Sequence, residues 1–568
     1  MSTGVNPLPK ALSEKALVPE LLEMYLENMT TQTNDGKEIL DYCSVKNFGC
    51  SGLTRSLHSV AMNVLWRSID LRPLLSLTRK AIRKENLSGQ AWVNAIKGLR
   101  RSIRASEYDR VHSYTARVRH LTCTKFPLTH PNFFPIIAMA GGTLFPRLQT
   151  ITMSSSDQIP NGITSLISPR MDGASLSLNS QDYNIVQVIG RMAPELRSLH
   201  VETAEAFPIV KQRGMSTRVI LPQKLSKNQN VFPKLLQHSA PHFPNLHFLS
   251  IRAPCFTYSP VMALEAVSKF PVLGELHVSL YIPMSPDYVP QPYSCPLPNL
   301  SFTFLRTLVI TDGNLRGLVT LLDTFGNPLT QLAHFRCKLG ECDAGRGEDS
   351  QLMAAMANTL SASCLRVLVL EESRLIRQEN RPMPVPAFRR LLNLKGLTRL
   401  RIAVAADVPL NDTVLCDIGD HMRSLVDLDI ERRNYTLEEV EWVTLSGLAY
   451  FVGKVQNLQA LGLAINGGQK SCTQWSPRRR DKKNALLTTL KVYVAPIDFT
   501  LVMLRGLVAI FPNLAYVDVD EARVHGRNVD ERTEIRKAKV RWQTMSQFLE
   551  EWRRNPKSRP SRWIPDRD

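Results

Sequence analysis

His334, Arg336 and Lys338 alternate with Phe335 and Cys337 in the stretch H-F-R-C-K. Strand side chains alternate between faces, so the three basic heads stand in one row while their apolar neighbours turn inward. Such a row suits one chemistry above others: holding an acidic or phosphorylated segment. Arg399 and Arg401 repeat the pattern in R-L-R-I, and Asp427, Asp429 and Glu431 repeat it with the opposite charge. Neighbouring parallel strands lie ~4.8 Å apart, so the two arginines are expected to pair with Asp427 and Asp429, at about 0–1 kcal/mol each. The trio has only Thr307, Val309 and Thr311 in the corresponding preceding stretch and is expected to stay available. His334, Arg336, Lys338, Arg399 and Arg401 are therefore the candidate binding residues.

Covalent chemistry finds no comparable footing. The sequence has no G-x-x-x-x-G-K-[ST], G-x-S-x-G or H-E-x-x-H, and no Cys/His set at metal-ligand spacing. His200, His277 and His334 fall at outward strand positions without a partner base or nucleophile. No catalytic residue, metal or cofactor is expected.

The 10 cysteines form no C-x-x-C pair. Cys123 and Cys337 occupy slots that want a small apolar residue, which suggests reduced thiols in an intracellular protein, cytoplasmic, nuclear or both. No apolar run approaches the ~20 residues that span a bilayer, and M-S-T-G-V-N-P-L-P-K lacks the apolar core of a signal peptide. The formal net charge of +19 is diffuse. The sharpest cluster, Pro477-Arg478-Arg479-Arg480-Asp481-Lys482-Lys483, reads as a solvated loop or, less often, an import signal. Aromatic residues are not interleaved with the basic ones, so nucleic acid is an unlikely partner.

The elements that must position the basic row come from a repeated phrase. It reads F-P-R-L-Q-T-I-T-M from Phe145, F-P-N-L-H-F-L-S-I from Phe243, F-P-V-L-G-E-L-H-V from Phe270 and F-P-N-L-A-Y-V-D-V from Phe511. The shared core is L-x-x-L-x-[VIL]. Thirteen copies are counted by first anchor: Val118, Leu148, Leu196, Leu246, Leu273, Leu305, Leu332, Leu365, Leu397, Leu425, Leu458, Leu487 and Leu514. Two gaps, from Leu148 to Leu196 and from Leu196 to Leu246, are long enough to hide a degenerate copy or an insertion.

Each copy predicts a strand with one buried face, and the prolines at Pro146, Pro194, Pro244, Pro271 and Pro512 predict the end of a preceding helix. Helices are expected between strands. Leu315, Leu318, Val319, Leu322 and Phe325 make one stripe. A capping box at Thr436 and Glu439 would open another that carries Val440, Val443, Leu448 and Phe451. One such unit cannot bury its own apolar face, whereas a stack buries a continuous core.

This phrase and period resemble leucine-rich repeats. The resemblance implies an α/β fold: an irregular repeat solenoid over residues 113–526, with parallel strands on its concave side and helices on its convex side. The family's Asn or Cys eight residues after the first leucine is nearly absent, standing only at Asn466.

A second resemblance lies upstream. V-P-E-L-L-E-M-Y-L-E-N-M (18–29), C-S-G-L-T-R-S-L (50–57) and L-W-R-S-I (65–69), followed by Y-T-A-R-V-R-H-L (114–121), resemble a fungal F-box protein. That implies a small three-helix F-box-like domain over 18–71, after a disordered tail at 1–17 and before a helical linker at 72–112. A polar loop over 30–37 would join its first helix to a short second one carrying Ile39, Leu40 and Cys43. A charged helix with a disordered tail is expected over 527–568, its Val540, Trp542, Met545, Phe548, Leu549 and Trp552 partly packed on the last copy.

The resemblance further implies docking on a Skp-type adaptor of a cullin–RING ubiquitin ligase through Val18, Pro19, Leu21, Leu22, Leu26, Leu53, Leu65 and Trp66. The repeats would hold a protein substrate, and the chain itself would be a non-catalytic subunit. The alternative is a repeat scaffold for protein–protein interaction whose helical cap recruits no ligase.

Overall fold

A computed structural model describes, with short breaks, residues 105–123, 143–203, 231–280, 300–372, 383–404, 408–431, 442–468, 483–520 and 529–554, with pieces at 31–32, 38–39 and 62–70. The fold is α/β, built on an open, all-parallel sheet of fifteen strands whose order follows the chain. A short antiparallel pair, β1 (Thr31–Gln32) and β2 (Glu38–Ile39), stands apart from it. The sheet strands are β3 (Ser68–Asp70), β4 (His120–Cys123), β5 (Thr150–Ser154), β6 (Gly173–Leu178), β7 (Ser198–Thr203), β8 (Phe248–Arg252), β9 (Glu275–Ser279), β10 (Thr307–Gly313), β11 (His334–Leu339), β12 (Val367–Glu372), β13 (Arg399–Ala403), β14 (Asp427–Ile430), β15 (Ala460–Leu463), β16 (Thr489–Tyr493) and β17 (Tyr516–Asp520). Helices occupy the spacers: α1 (Ala105–Thr115), α2 (Asn184–Met192), α3 (Val231–Ser239), α4 (Pro260–Ser268), α5 (Leu315–Thr324), α6 (Glu348–Thr359), α7 (Val385–Arg389), α8 (Asp412–His421), α9 (Leu445–Lys454), α10 (Thr500–Ile510) and α11 (Val529–Arg554).

Each of the thirteen phrases forms a strand, and every first anchor is buried, from Val118 at 0% exposed to Leu514 at 4%. Apolar burial of this kind is worth roughly 25 cal/mol per Å², and it recurs in register from copy to copy. Helices α2, α4 and α10 end two or three residues ahead of Pro194, Pro271 and Pro512, as the prolines predict, and the proline also serves the turn that follows. In Phe145-Pro146-Arg147-Leu148 the Phe145 carbonyl accepts from the Leu148 amide (3.2 Å), and Phe511 accepts from Leu514 in the same way (3.1 Å). Proline thus sits second in a turn that feeds the strand, where its fixed φ fits. The preceding Phe145, Phe243 and Phe511 are fully buried.

The Leu487 copy has neither Phe nor Pro, and buried Asn484 replaces both. Its side-chain oxygen accepts from the amides of Leu486 (2.8 Å) and Leu487 (2.9 Å), while its amide donates to the Leu458 carbonyl (2.9 Å).

The residue after most anchors carries the first rung between copies. Its carbonyl accepts from two successive amides of the next copy. Arg119 accepts from Gln149 (2.8 Å) and Thr150 (3.0 Å), and Arg306 accepts from Ala333 (2.8 Å) and His334 (2.9 Å). This fork fixes the register, and a one-residue slip would turn every buried side chain outward.

The chain divides into two compact units. One comprises residues 1–205 with 234–248 and 269–271, and holds β3–β7. Two of its strands carry degenerate phrases. Met171-x-x-Ala174-x-Leu176 forms β6, in the first long gap, and Trp66-x-x-Ile69 forms β3, whose preceding residue Arg67 accepts the Arg119 amide (2.9 Å). The sheet therefore begins inside the span expected to be a helical domain and ahead of residue 113. Ile39, expected in a short helix, lies in strand β2.

The second unit comprises 206–233, 249–268 and 272–568. Here α8 and α9 pack side by side. Asn411 caps α8 by accepting from Val414 (3.0 Å), and Thr444 caps α9 by accepting from Ser446 (3.1 Å). Asp412 in turn accepts from the Thr444 amide (2.7 Å) and hydroxyl (2.6 Å). The close approach requires Gly447, because an added Cβ would stand 2.1 Å from the Asp412 carboxylate. Helix α9 thus starts at Leu445, and Val443 bridges to Ile465 outside it. The expected capping box at Thr436 and Glu439 lies outside the described residues.

At the end of the chain α11 packs on β17 as expected. Trp542, Met545 and Leu549 are buried, while Val540 faces solvent at 58% exposed. Trp542 donates to the Ala495 carbonyl (3.0 Å), and the Ser546 hydroxyl accepts the Val517 amide (3.2 Å). Trp552 falls within α11, and the polar tail after Arg554 lies outside the described residues.

Candidate functional site

The basic trio is carried by β11, whose burial alternates strictly. Phe335 and Cys337 are at 0% exposure, while His334, Arg336 and Lys338 are exposed. The register places them beside Thr307, Val309 and Thr311 on β10 and beside Val367, Val369 and Glu371 on β12. Glu371, the acidic neighbour of Lys338, turns to Arg401 instead (3.3 Å). Among the described residues the side chains of Arg336 and Lys338 have no ion-pair partner.

Arg399 and Arg401 on β13 are engaged, as the charge pattern predicts. Arg399 Nε lies 2.7 Å from Asp427. Arg401 Nε is buried between Glu371 (3.3 Å) and Asp429 (3.5 Å), and is aligned to hydrogen-bond neither. These two arginines hold the acidic row of β14, so of the five candidate residues the β11 trio is left to face a ligand. Glu431, assigned by the alternation to the outward row, is buried at 2% exposure.

Asp429 is the hub of this network, and sequence reasoning missed how it reaches its partners. Its carboxylate accepts from the Tyr493 hydroxyl and lies 4.0 Å from Lys491 Nζ, both on β16, two strands away. Gly462 stands between them on β15, paired with Asp429 on one side and Lys491 on the other. An added Cβ there would meet Asp429 Oδ1 at 2.4 Å. The missing side chain is the channel through which the carboxylate crosses β15. Tyr493 is 1% exposed, in a cluster with Trp442, Ala464 and Ala495, and Lys491 Nζ lies over its ring at 4.9 Å. The glycine at a second-anchor-plus-one position, where other copies carry a side chain, was the available signal.

Of the proposed adaptor-facing residues, Val18, Pro19, Leu21, Leu22, Leu26, Leu53 and Leu65 lie outside the described residues. Trp66 is described. It is 6% exposed, fills the first-anchor slot of β3, and packs its ring on Tyr114 at 4.6 Å between centroids. It can support a docking face from beneath rather than form its surface. Among the described residues no group of three or more His, Cys, Asp or Glu is placed to hold a metal ion, and no helix is long and apolar enough to cross a membrane. Cys123 and Cys337 are buried, in the third-anchor slots predicted for them.

A comparison with protein-family models finds none that matches this chain, and a comparison with curated proteins finds no match either.

Proposed function

We propose that this chain is a non-catalytic substrate receptor of an F-box-type ubiquitin ligase, built as a leucine-rich repeat solenoid behind a divergent F-box. The repeats would hold an acidic or phosphorylated segment of a protein substrate on the β11 row. The upstream helices would dock on a Skp-type adaptor joined to a cullin. Catalysis would then reside in the rest of the ligase, and this chain would contribute proximity.

The observation that carries the reading is the exposed row of His334, Arg336 and Lys338, flanked on β10 by the uncharged Thr307, Val309 and Thr311, with Arg336 and Lys338 left without ion pairs among the described residues while Arg399 and Arg401 are engaged. Charge-assisted bonds to a phosphate are the strong kind. The F-box half rests on the sequence resemblance at 18–29, 50–57 and 65–69.

The test uses the full chain. Wild type should co-precipitate adaptor and cullin, and Leu21→Asp with Leu22→Asp should lose both. Arg336→Glu with Lys338→Glu should abolish substrate capture. Adaptor binding and melting should be unchanged, because exposed substitutions of this kind move stability by only about 0.5 kcal/mol. A wild-type chain that brings down no adaptor overturns the ligase reading in favour of the scaffold. Unaltered capture by the double reversal removes the β11 row from the site.

A further inference from the structure

Two features at the ends of the β10–β11 pair serve no purpose in the repeat, and both lie inside the second unit. The first is Phe304. It stands one residue ahead of its anchor, Leu305, and is 55% exposed. The ring that the phrase needs is supplied two residues earlier by Phe302, which packs edge-on against Phe325 at 5.4 Å between centroids. A single exposed apolar residue is ordinary, but the surroundings of this one set it apart. Arg306, the next residue but one, is exposed and has no side-chain partner among the described residues. Its carbonyl accepts from the His334 amide (2.9 Å), which ties it to the head of the β11 row. Leu486, exposed at the same position of its own copy, is followed by Thr488 instead of a cation.

The second feature is Asp312, whose φ is 57°. Non-glycine residues enter that region at a cost. The register of β10 on β11 shifts between Thr311 and Gly313, and a bulge of this kind re-aims a side chain. Here the carboxylate reaches β9, where it accepts from the buried Ser279 hydroxyl (3.0 Å). It makes no ion pair with Lys338, although the residue before it, Thr311, is the register partner of Lys338. The surface of the pair therefore runs from an apolar ring, through the basic Arg306, His334, Arg336 and Lys338, to an exposed carboxylate.

We infer that the segment held on the β11 row carries an apolar residue four positions away from a pair of acidic residues, and no third acid beyond that pair. This rests on the β11 row being the substrate site. The spacing comes from the register. Phe304 is three residues ahead of Thr307, which pairs with His334, and Arg336 is two residues further on. Five such steps span about 16 Å in extended chain, and the bend at Thr303 and Phe304 shortens the path. An extended ligand covers it in four residues at about 3.3 Å each, and its period of two returns the side chain to the same face. Two acids spaced two residues apart then meet Arg336 and Lys338, which have the same spacing. A third acid, two residues further on, would meet Asp312 and be repelled.

The probe is a capped ten-residue peptide with leucine at its second position, aspartate at its sixth and eighth, and glycine or serine elsewhere. It carries a neutral dye and is titrated with the full chain by fluorescence anisotropy. The reversed sequence is a second arm, because the row does not set the ligand's direction. One of the two should bind about tenfold more tightly than its counterpart with glycine in place of leucine. Phe304→Ala should remove that tenfold, leaving the melting temperature and the affinity for the glycine peptide unchanged. An aspartate added two positions beyond the pair should weaken binding to wild type but not to Asp312→Asn, which keeps an acceptor for Ser279 and tolerates the positive φ. If wild type binds no aspartate peptide, or Arg336→Glu with Lys338→Glu binds as wild type does, the β11 row itself fails and the inference falls with it. If the row holds the glycine peptide but leucine adds nothing, or Phe304→Ala loses nothing, the apolar anchor alone is overturned. A third aspartate accepted by wild type overturns the limit set by Asp312.

Discussion

Gly462→Ala is the sharpest probe of the charge network, because two effects oppose each other and the structure decides between them. Gly462 has no positive φ, so alanine fits its backbone. On chain entropy alone the change would stabilise by about 0.4–1 kcal/mol. The new Cβ, however, would stand 2.4 Å from Asp429 Oδ1 and 3.0 Å from Cγ, so the carboxylate must leave. Tyr493, 1% exposed, then loses the carboxylate that accepts from its hydroxyl, at a cost of about 1–3 kcal/mol. Arg401 loses one of its two carboxylates as well.

The net expectation is destabilisation by about 0.5–2 kcal/mol, obtained by setting the clash term against the entropy term. Urea unfolding followed by circular dichroism measures it, with an unchanged slope confirming that the compactness of both states is kept. The cycle with Tyr493→Phe isolates the cause. Once the hydroxyl is gone, Gly462→Ala should be nearly neutral or stabilising. Strictly additive costs in the double variant, or a stabilising Gly462→Ala in the wild-type background, would refute the channel argument.

Asn484→Ala removes the acceptor of two amides and the donor to Leu458, and should cost about 1–3 kcal/mol in urea unfolding. Trp542→Ala should cost about 3–5 kcal/mol through lost packing, whereas Trp542→Phe, which loses chiefly the bond to Ala495, should cost about 1 kcal/mol. On α8 and α9 the hydrogen bond from Lys454, then that from Tyr450, holds the exposed Asp420 carboxyl below its usual range, and the same contact with Asp420 holds Lys454 above its own. This contribution is present above the ordinary Asp value of about 3.9 and below the ordinary Lys value of about 10.4. It is lost as pH falls below the first or rises beyond the second. Melting temperature against pH should therefore fall less steeply in Asp420→Asn between about pH 5 and about pH 3, and the difference should shrink in high salt; parallel curves would count against it.

The sequence made the thirteen strands legible because leucine in a fixed slot has one reason to recur there. It hid two more for the same reason. In β3 the slot holds Trp66, and in β6 the second anchor is only Ala174, so a search keyed to leucine passes over both. The charge pairs of Arg399 and Arg401 followed from alternation plus strand spacing. The crossing of β15 by Asp429 did not, since it depends on an absent side chain two strands from the tyrosine it serves. Helix starts were the least legible, because Thr444 caps α9 without the Glu that would have marked it.

Helix α11 carries a consequence for assembly. A parallel strand at the end of a sheet offers unpaired amides and carbonyls to any passing chain, and a stack of identical rungs is the geometry in which such pairing propagates. β17 is that terminal strand. Ser546 takes up its Val517 amide, and Trp542 reaches the Ala495 carbonyl of the copy beneath. The polymer that the repeat would otherwise template is stopped by one hydroxyl and a strip of buried side chains. A chain cut before Val529 would thus lose its stopper along with its stability, and would be expected to join other copies end to end through the bared rung.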